Sequence, residues 1–308
     1  MSWLIFVIIA VILDSTRIFI DNYASDVYFK GRGAASQKLF YGYAFLAVAL
    51  ILSIVTGFNF ESEYALKFLL FFVAGFLGGI AGIPYYKALE LDDSTNIGIF
   101  TQLAPVLYLI FGWFILDEAF SPHQLIAFFI IISAPLLIIL TTRKRSRKVK
   151  IRAVFYAFLY VLIAVIGNII FVKENTTELN FLIEMIFIFL GKGISDLLIV
   201  YTRPKWRKRF HTVLKESHGK VLRPLFINNI VGFVKDITYR LGLTLAPAMA
   251  VASAASDSVE PIVIFFLGLL FTLIWPKFGR EKLTKKAVLV HFIAIILVVV
   301  GIVLIQSW

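Results

Sequence analysis

Long apolar stretches alternate with short polar ones along this chain, and each apolar stretch is continuous rather than alternating residue by residue. Strands of a membrane barrel would alternate, so the pattern predicts helices instead. Crossing a bilayer takes about 20 apolar residues. Ten runs qualify: Trp3–Asn22, Leu39–Val55, Phe68–Tyr86, Ile97–Leu116, Gln124–Leu140, Ala153–Val172, Leu179–Tyr201, Leu222–Leu245, Pro247–Trp275 and Ala287–Gln306. The connections are mostly short and leave no room for a separate soluble domain. The expected fold is all-α and integral to the membrane, with ten transmembrane helices. The first run lacks a basic leader, carries Asp14 and Arg17, and precedes no clean cleavage site, so it reads as a retained helix.

Composition agrees with the pattern. Of 308 residues, 60% are hydrophobic, with a mean hydropathy of +0.90, too little polar surface for a soluble domain. There is no cysteine, which excludes disulfides, thiolate metal sites and cysteine nucleophiles. The net charge of +11 could suggest nucleic acid, but its placement points elsewhere. Of the 30 Lys and Arg, 24 fall in the odd-numbered connections, including "RKRSRKVKIR" and "RPKWRKRFHTVLKESHGKVLR". The even ones hold only Lys67, Lys173 and Arg240. Such a bias places odd connections in the cytoplasm and both termini outside. Within residues 202–220, Trp206, Phe210, Val213 and Leu214 fall on one helical face while Arg207, Lys208, Arg209 and Lys215 point elsewhere. Two readings stand: an amphipathic helix on an anionic lipid leaflet, or a solvated basic loop.

The halves repeat a spacing. Pro105 and Pro261 are each followed seven residues later by glycine, Gly112 and Gly268. Each run then reaches a Glu-x-x-hydroxyl turn, EAFS at 118–121 and EKLT at 281–284, before another apolar helix. Upstream, Gly79 precedes Tyr86-Lys87 by the same seven positions as Gly232 precedes Tyr239-Arg240. Five helices per half is an odd number, so the second half enters the membrane upside down, as transporter repeats do. Proline within a membrane helix frees a backbone carbonyl and is tolerated where the helix lines a cavity. Pro105 and Pro261 are thus expected gating kinks, with plain packing kinks as the alternative. The repeats are expected at 1–142 and 153–308, joined by a basic cytoplasmic linker at 143–152.

The stretch "YYKALELDDSTNIGIFTQLAPVLYLIFGWFILDEAFSPHQLIAF" resembles the end of an EamA-type half in the drug/metabolite transporter superfamily. The resemblance covers both halves, closely in the first and loosely in the second. It implies two inverted five-helix repeats, a central cavity lined mainly by helices 1, 3, 4, 6, 8 and 9, and movement of small organic solutes across the inner membrane. Two places depart from the family pattern. "MSW" and "FNFESEYA" lack the usual basic residues, so the charge bias reverses the usual orientation, and the first helix reads "ILDSTRIFIDNY" where the family has Trp-Gly.

Ionisable residues inside the hydrocarbon region are costly and face the bundle interior. Helix 1 carries Asp14, Arg17 and Asp21 along one face, and Arg17 either neutralises Asp14 locally or leaves each free for a substrate group. Helix 9 carries Asp257 and Glu260 beside Pro261. Two close carboxylates in low dielectric resist double ionisation, which makes this pair the expected proton carrier, unless Lys235 on helix 8 neutralises one of them. On helix 7, Lys192 and Asp196 are spaced to pair with each other. Tyr86, Gln102, Asn168 and Asn228 are polar neutrals placed to hydrogen-bond a substrate. Small residues at four-residue spacing, Gly75–Gly79 and Gly78–Gly82 on helix 3 and Ala246, Ala250, Ala254 and Ser258 on helix 9, predict close helix packing.

No phosphate-cradling loop, nucleophile elbow or paired-histidine metal motif occurs, so neither enzymatic activity, a metal nor a cofactor is expected. The expected function is secondary transport of a small polar or zwitterionic metabolite, such as an amino acid, by alternating access with proton coupling. The expected site is Asp14, Arg17, Tyr86, Gln102, Asn168, Asn228, Lys235, Asp257 and Glu260. The expected assembly is a monomer or homodimer. The alternative is a flippase for a lipid-linked or phosphorylated sugar, with Arg17 and Lys235 holding phosphate.

Overall fold

The computed structural model describes residues 2–29, 34–58, 61–91, 103–142, 150–175, 180–274 and 285–306. Among them are the α-helices α1 Ser2–Ala24, α2 Lys38–Val55, α3 Ala65–Leu91, α4 Ala104–Ile115, α5 Pro122–Thr142 and α6 Ile151–Glu174. They continue with α7 Phe181–Tyr201, α8 Pro204–Glu216, α9 Leu222–Leu245, α10 Met249–Ile274 and α11 Lys285–Gln306. Every predicted apolar run contains one of these helices, and α8 is the amphipathic extra between them. Trp3–Asp21, Ala35–Val55, Ser62–Ala88, Ile151–Glu174 and Met249–Leu270 are long and apolar enough to cross a bilayer. Ala104–Ile115, Pro122–Ile138 and Phe292–Leu304 are shorter apolar helices. The chain is an all-helical, multi-pass membrane protein.

Two compact units divide the chain, and each draws on both halves of the sequence. The first takes Met1–Phe19, Leu89–Phe158 and Val231–Trp308; the second takes Ile20–Ala88 and Leu159–Ile230.

In the first unit α5 lies along α11, with Ala134, Ile138, Val290, Ala294 and Val298 buried between them and Ile262 of α10 against the same cluster. The approach is close because Gly301 omits a side chain: a Cβ there would stand 2.3 Å from Ile131 Cγ1. Buried Ser258 of α10 donates to the carbonyl of Ile131 at 2.9 Å, satisfying a hydroxyl that has no water to turn to.

In the second unit α2 lies along α7. A Cβ on Gly42 would be 3.1 Å from the Gly193 carbonyl, and one on Gly193 would be 3.0 Å from the Gly42 carbonyl, a reciprocal contact. The helix 3 glycines serve the packing expected of them. A Cβ on Gly75 would come within 2.0 Å of Ile188 O, and one on Gly191 within 2.1 Å of Phe72 O, so α3 and α7 touch backbone to backbone. Phe68 and Phe187 stack at 4.4 Å nearby. In α8, Phe210 and Val213 are buried with Phe29, Leu39, Tyr41, Val200, Val221 and Leu225, and Arg209 donates to the carbonyl of Phe29 at 2.9 Å.

Several sequence expectations change. Lys38, counted with the loop charges, opens α2, is buried, and pairs with buried Asp196 while donating to Gly79 O at 3.1 Å. Asp196 therefore takes a distant lysine in addition to the electrostatic attraction of its i−4 neighbour Lys192, which also sits over the Phe45 ring. Arg240, counted in an even connection, is buried within α9. Pro105 occupies the first turn of α4 as described, a position where a missing N–H breaks no helical bond. Pro261 does lie inside its helix, and so do Pro84 of α3 and Pro135 of α5.

Candidate functional site

The charged residues of α1, α9 and α10 in the first unit are brought together around Asp14. One carboxylate oxygen of Asp14 accepts from Arg17 Nη1 at 3.1 Å, one helical turn on. The other lies 3.3 Å from Lys235 Nζ of α9, and the same ammonium is 3.8 Å from Asp236. Gly232, one turn before Lys235, admits the guanidinium: a Cβ there would stand 3.1 Å from Arg17 Nε. The local pairing with Arg17 foreseen for Asp14 occurs, and Lys235, foreseen as a partner for the α10 acids, pairs with Asp14 as well.

Asp257 and Glu260 on α10 interact electrostatically with each other, with Lys235 and with Asp14. Neither forms a direct ion pair with Lys235, which goes to α1 instead. Among the described residues, the carboxylates of Asp14, Asp236, Asp257 and Glu260 thus gather near Arg17 and Lys235. Asp14 and Arg17 are 32% and 26% exposed along their side chains and lie on a helix long and apolar enough to cross a bilayer; Lys235, on α9, is 20% exposed. The Lys235 ammonium lies 5.3 Å from the Tyr239 ring centroid, and Tyr108 of α4 and Asp257 of α10 act electrostatically on the Tyr239 hydroxyl.

Of the other predicted site residues, three lie in the second unit. Asn228, which is buried, donates to Asp21 at 2.8 Å and to the hydroxyl of Tyr41 at 2.8 Å, and that hydroxyl lies 2.7 Å from Asp21 and 2.9 Å from Gln37. Asp21, foreseen on one face with Asp14 and Arg17, belongs to this network. Tyr86 is half-buried on α3 against Tyr85, and Asn168 is half-buried on α6. Gln102 lies outside the described residues, as do Glu281 and Thr284 of the second Glu-x-x-hydroxyl turn.

The sequence reading gave no site role to Tyr108, Asp236, Tyr239, Ser253 or one further acid, Glu118. The chain leaves α4 through Asp117, whose φ of 54° is the left-handed turn that Asp tolerates, and Glu118 N then bonds back to Gly112 O at 3.1 Å. This turn aims Glu118 Oε1 at the first free amide of α10, accepting from Met249 N at 2.6 Å with Ala250 N also in reach. Oε2 is buried, has no hydrogen-bond partner, and rests against Gly112, where a Cβ would be 2.4 Å away. Burial pushes the Glu118 carboxyl above its ordinary range, and the two amides pull it partly back. A carboxylate at a helix N-terminus satisfies orphan donors and complements the helix dipole.

Comparison with known proteins adds two findings. Residues 1–140 match the EamA-like transporter family. A crystal structure 16% identical to the chain superposes with a TM-score of 0.67, covering 99% of this chain and 96% of that one, which speaks for the fold alone. No curated protein matches significantly.

Proposed function

We propose, from the EamA-like transporter match over residues 1–140, that this drug/metabolite-superfamily chain is a ten-span secondary transporter of a small polar or zwitterionic metabolite in the cytoplasmic membrane. It works by alternating access between two inverted five-helix repeats, 1–142 and 153–308. The observation that carries the reading is the Asp14 carboxylate held between Arg17 and Lys235, with Asp257 and Glu260 facing the same group. Asp257 and Glu260 add acid to this group beyond what Lys235 pairs with directly. That surplus suits a proton or the ammonium of a substrate, and Arg17 and Lys235 suit its carboxylate. Tyr108 and Tyr239 add hydroxyls that orient a polar ligand without a charge of their own.

The helix pairings support the inverted repeat. Counting spans along the chain, α2 and α7 are second and seventh, α5 and α11 fifth and tenth, α4 and α10 fourth and ninth; each packs on its counterpart five spans away. Elements next to a two-fold axis meet their own mates in this manner, and the reciprocal contact of Gly42 and Gly193 has the form that such an axis produces. The charge bias of the connections orients both termini outward.

Solid-supported-membrane electrophysiology on proteoliposomes tests the function, with amino acids, sugars and cationic compounds each applied at two pH values. A sustained, pH-dependent current with one class is expected. Glu260→Gln should keep the substrate response and lose its pH dependence. A current in the Glu260→Gln protein with the wild-type pH profile removes that residue from coupling, and silence across the panel rejects coupled transport of these solutes.

A further inference from the structure

Helix α8 and its exposed face have no part in the transport reading. The helix links α7, which ends at Tyr201, to α9, which begins at Leu222. Both neighbours expose large apolar residues next to the junctions, Leu198 and Tyr201 on one side and Phe226 and Ile227 on the other. Exposed apolar surface at both ends fixes α8 at the polar boundary of the bilayer.

Its two faces are committed differently. The apolar one is spent on protein: Phe210 and Val213 are buried in the second unit's core, and Trp206 and Leu214 pack against it. Arg209 is tied to Phe29 O, Arg203 lies over the Trp206 ring at 4.5 Å, and Arg207 lies near the Tyr201 ring at 5.6 Å. Opposite them, Lys205, Lys208, His211, Thr212 and Lys215 are exposed within one arc of the helix, and Lys220 and Arg223 follow it. Among the described residues, the side chains of Lys205, Lys208, Lys215 and Lys220 form no hydrogen bond or ion pair. Glu216 is the one acid between residues 203 and 223.

We propose that this lysine face binds anionic phospholipid headgroups by charge, with α8 docked on the protein rather than embedded in acyl chains. A helix that inserts gives its apolar side to the lipid; this one has none left to give. What remains is a row of compact ammonium groups, each of which meets a phosphate as a point charge. Each lysine near an anionic surface strengthens association about fivefold. Headgroup charge, not chain insertion, then determines which lipid is kept.

The test is reconstitution of the full chain in bilayers of equal phosphatidylglycerol and phosphatidylcholine, followed by native mass spectrometry of the lipids it retains. Wild-type protein should retain phosphatidylglycerol in excess. Lys205→Gln/Lys208→Gln/Lys215→Gln keeps helix propensity and touches no buried group, and should lower that excess at least tenfold. The excess should also fall between about 0.1 M and about 1 M salt, where screening shortens from about 10 Å to about 3 Å. Equal retention of the two lipids by wild type overturns the proposal, as does an excess that survives the triple substitution or high salt. Should the triple variant aggregate, the salt comparison on wild type decides by itself.

Discussion

Replacing Glu118 by alanine removes the group that caps α10 from the end of α4. Loss of an N-cap side chain costs about 0.5–2 kcal/mol. Met249 and Ala250 are both buried, so water does not readily replace the carboxylate, and an unpaired buried amide costs about 1–3 kcal/mol. A combined loss of about 1–3 kcal/mol, confined to the first turn of α10, corresponds to an opening equilibrium raised about 5- to 150-fold. Hydrogen–deuterium exchange of the amides at 249–253 reads this directly. Glu118→Gln keeps the acceptor and should exchange at close to the wild-type rate. Gly112→Ala should mimic Glu118→Ala, because its Cβ occupies the seat of Oε2 at 2.4 Å and the carboxyl has to swing away. The sign of the pH effect follows from the raised pKa. The folded state holds the Glu118 proton more tightly than the unfolded chain, so this contribution is full below the unfolded value, about 4.3, and is lost as pH rises through the folded one. Relative to Glu118→Gln, wild type should therefore become less stable from mildly acid to neutral pH. Unchanged exchange at 249–253 in both Glu118→Ala and Gly112→Ala would refute the capping argument.

Two ion pairs give further checks by thermal unfolding in detergent. Lys38→Met leaves Asp196 buried without its lysine and should cost about 3–5 kcal/mol, whereas Lys38→Met with Asp196→Leu should recover most of the loss; no recovery in the double variant would mean the pair is not the source. Asp14→Asn strands Arg17 and Lys235 together and should lower the unfolding temperature, with Lys235→Gln restoring part of it through a coupling of about 1–3 kcal/mol. Additive losses would show that the two residues do not interact.

How much of this was legible depended on the range of the interaction. Hydrophobic runs of membrane length are a local property, and each marks a helix. The amphipathic face of α8 was likewise visible in its spacing, because Trp206, Phe210, Val213 and Leu214 repeat at the helical period. Asp14, Arg17 and Lys235 stood out because charge inside an apolar run is costly wherever it occurs. Partner choice was harder to read. Spacing alone joined Lys192 to Asp196, but the close approach of α2 to α7 brought Lys38 nearer, and nothing within one helix encodes that. Glu118 looked like an ordinary turn residue, since its partner lies 131 positions away and backbone amides leave no trace in sequence. Tyr108 and Tyr239 were two tyrosines among 12 until α4, α9 and α10 were placed. Pro105 was read by its position in an apolar run, although helix starts and kinks look alike when the boundary is not known.

The reciprocal seat of Gly42 and Gly193 also sets an order of events in time. A ribosome working at about 5–20 residues per second needs about 8–30 s to travel from one glycine to the other. Throughout that interval α2 waits in the bilayer with a bare backbone groove and no mate. Neither half of the gene, expressed alone, can close this contact, so a truncated first half should be captured by another copy of itself or by membrane proteases. Two separately encoded halves, produced together, should find each other and survive.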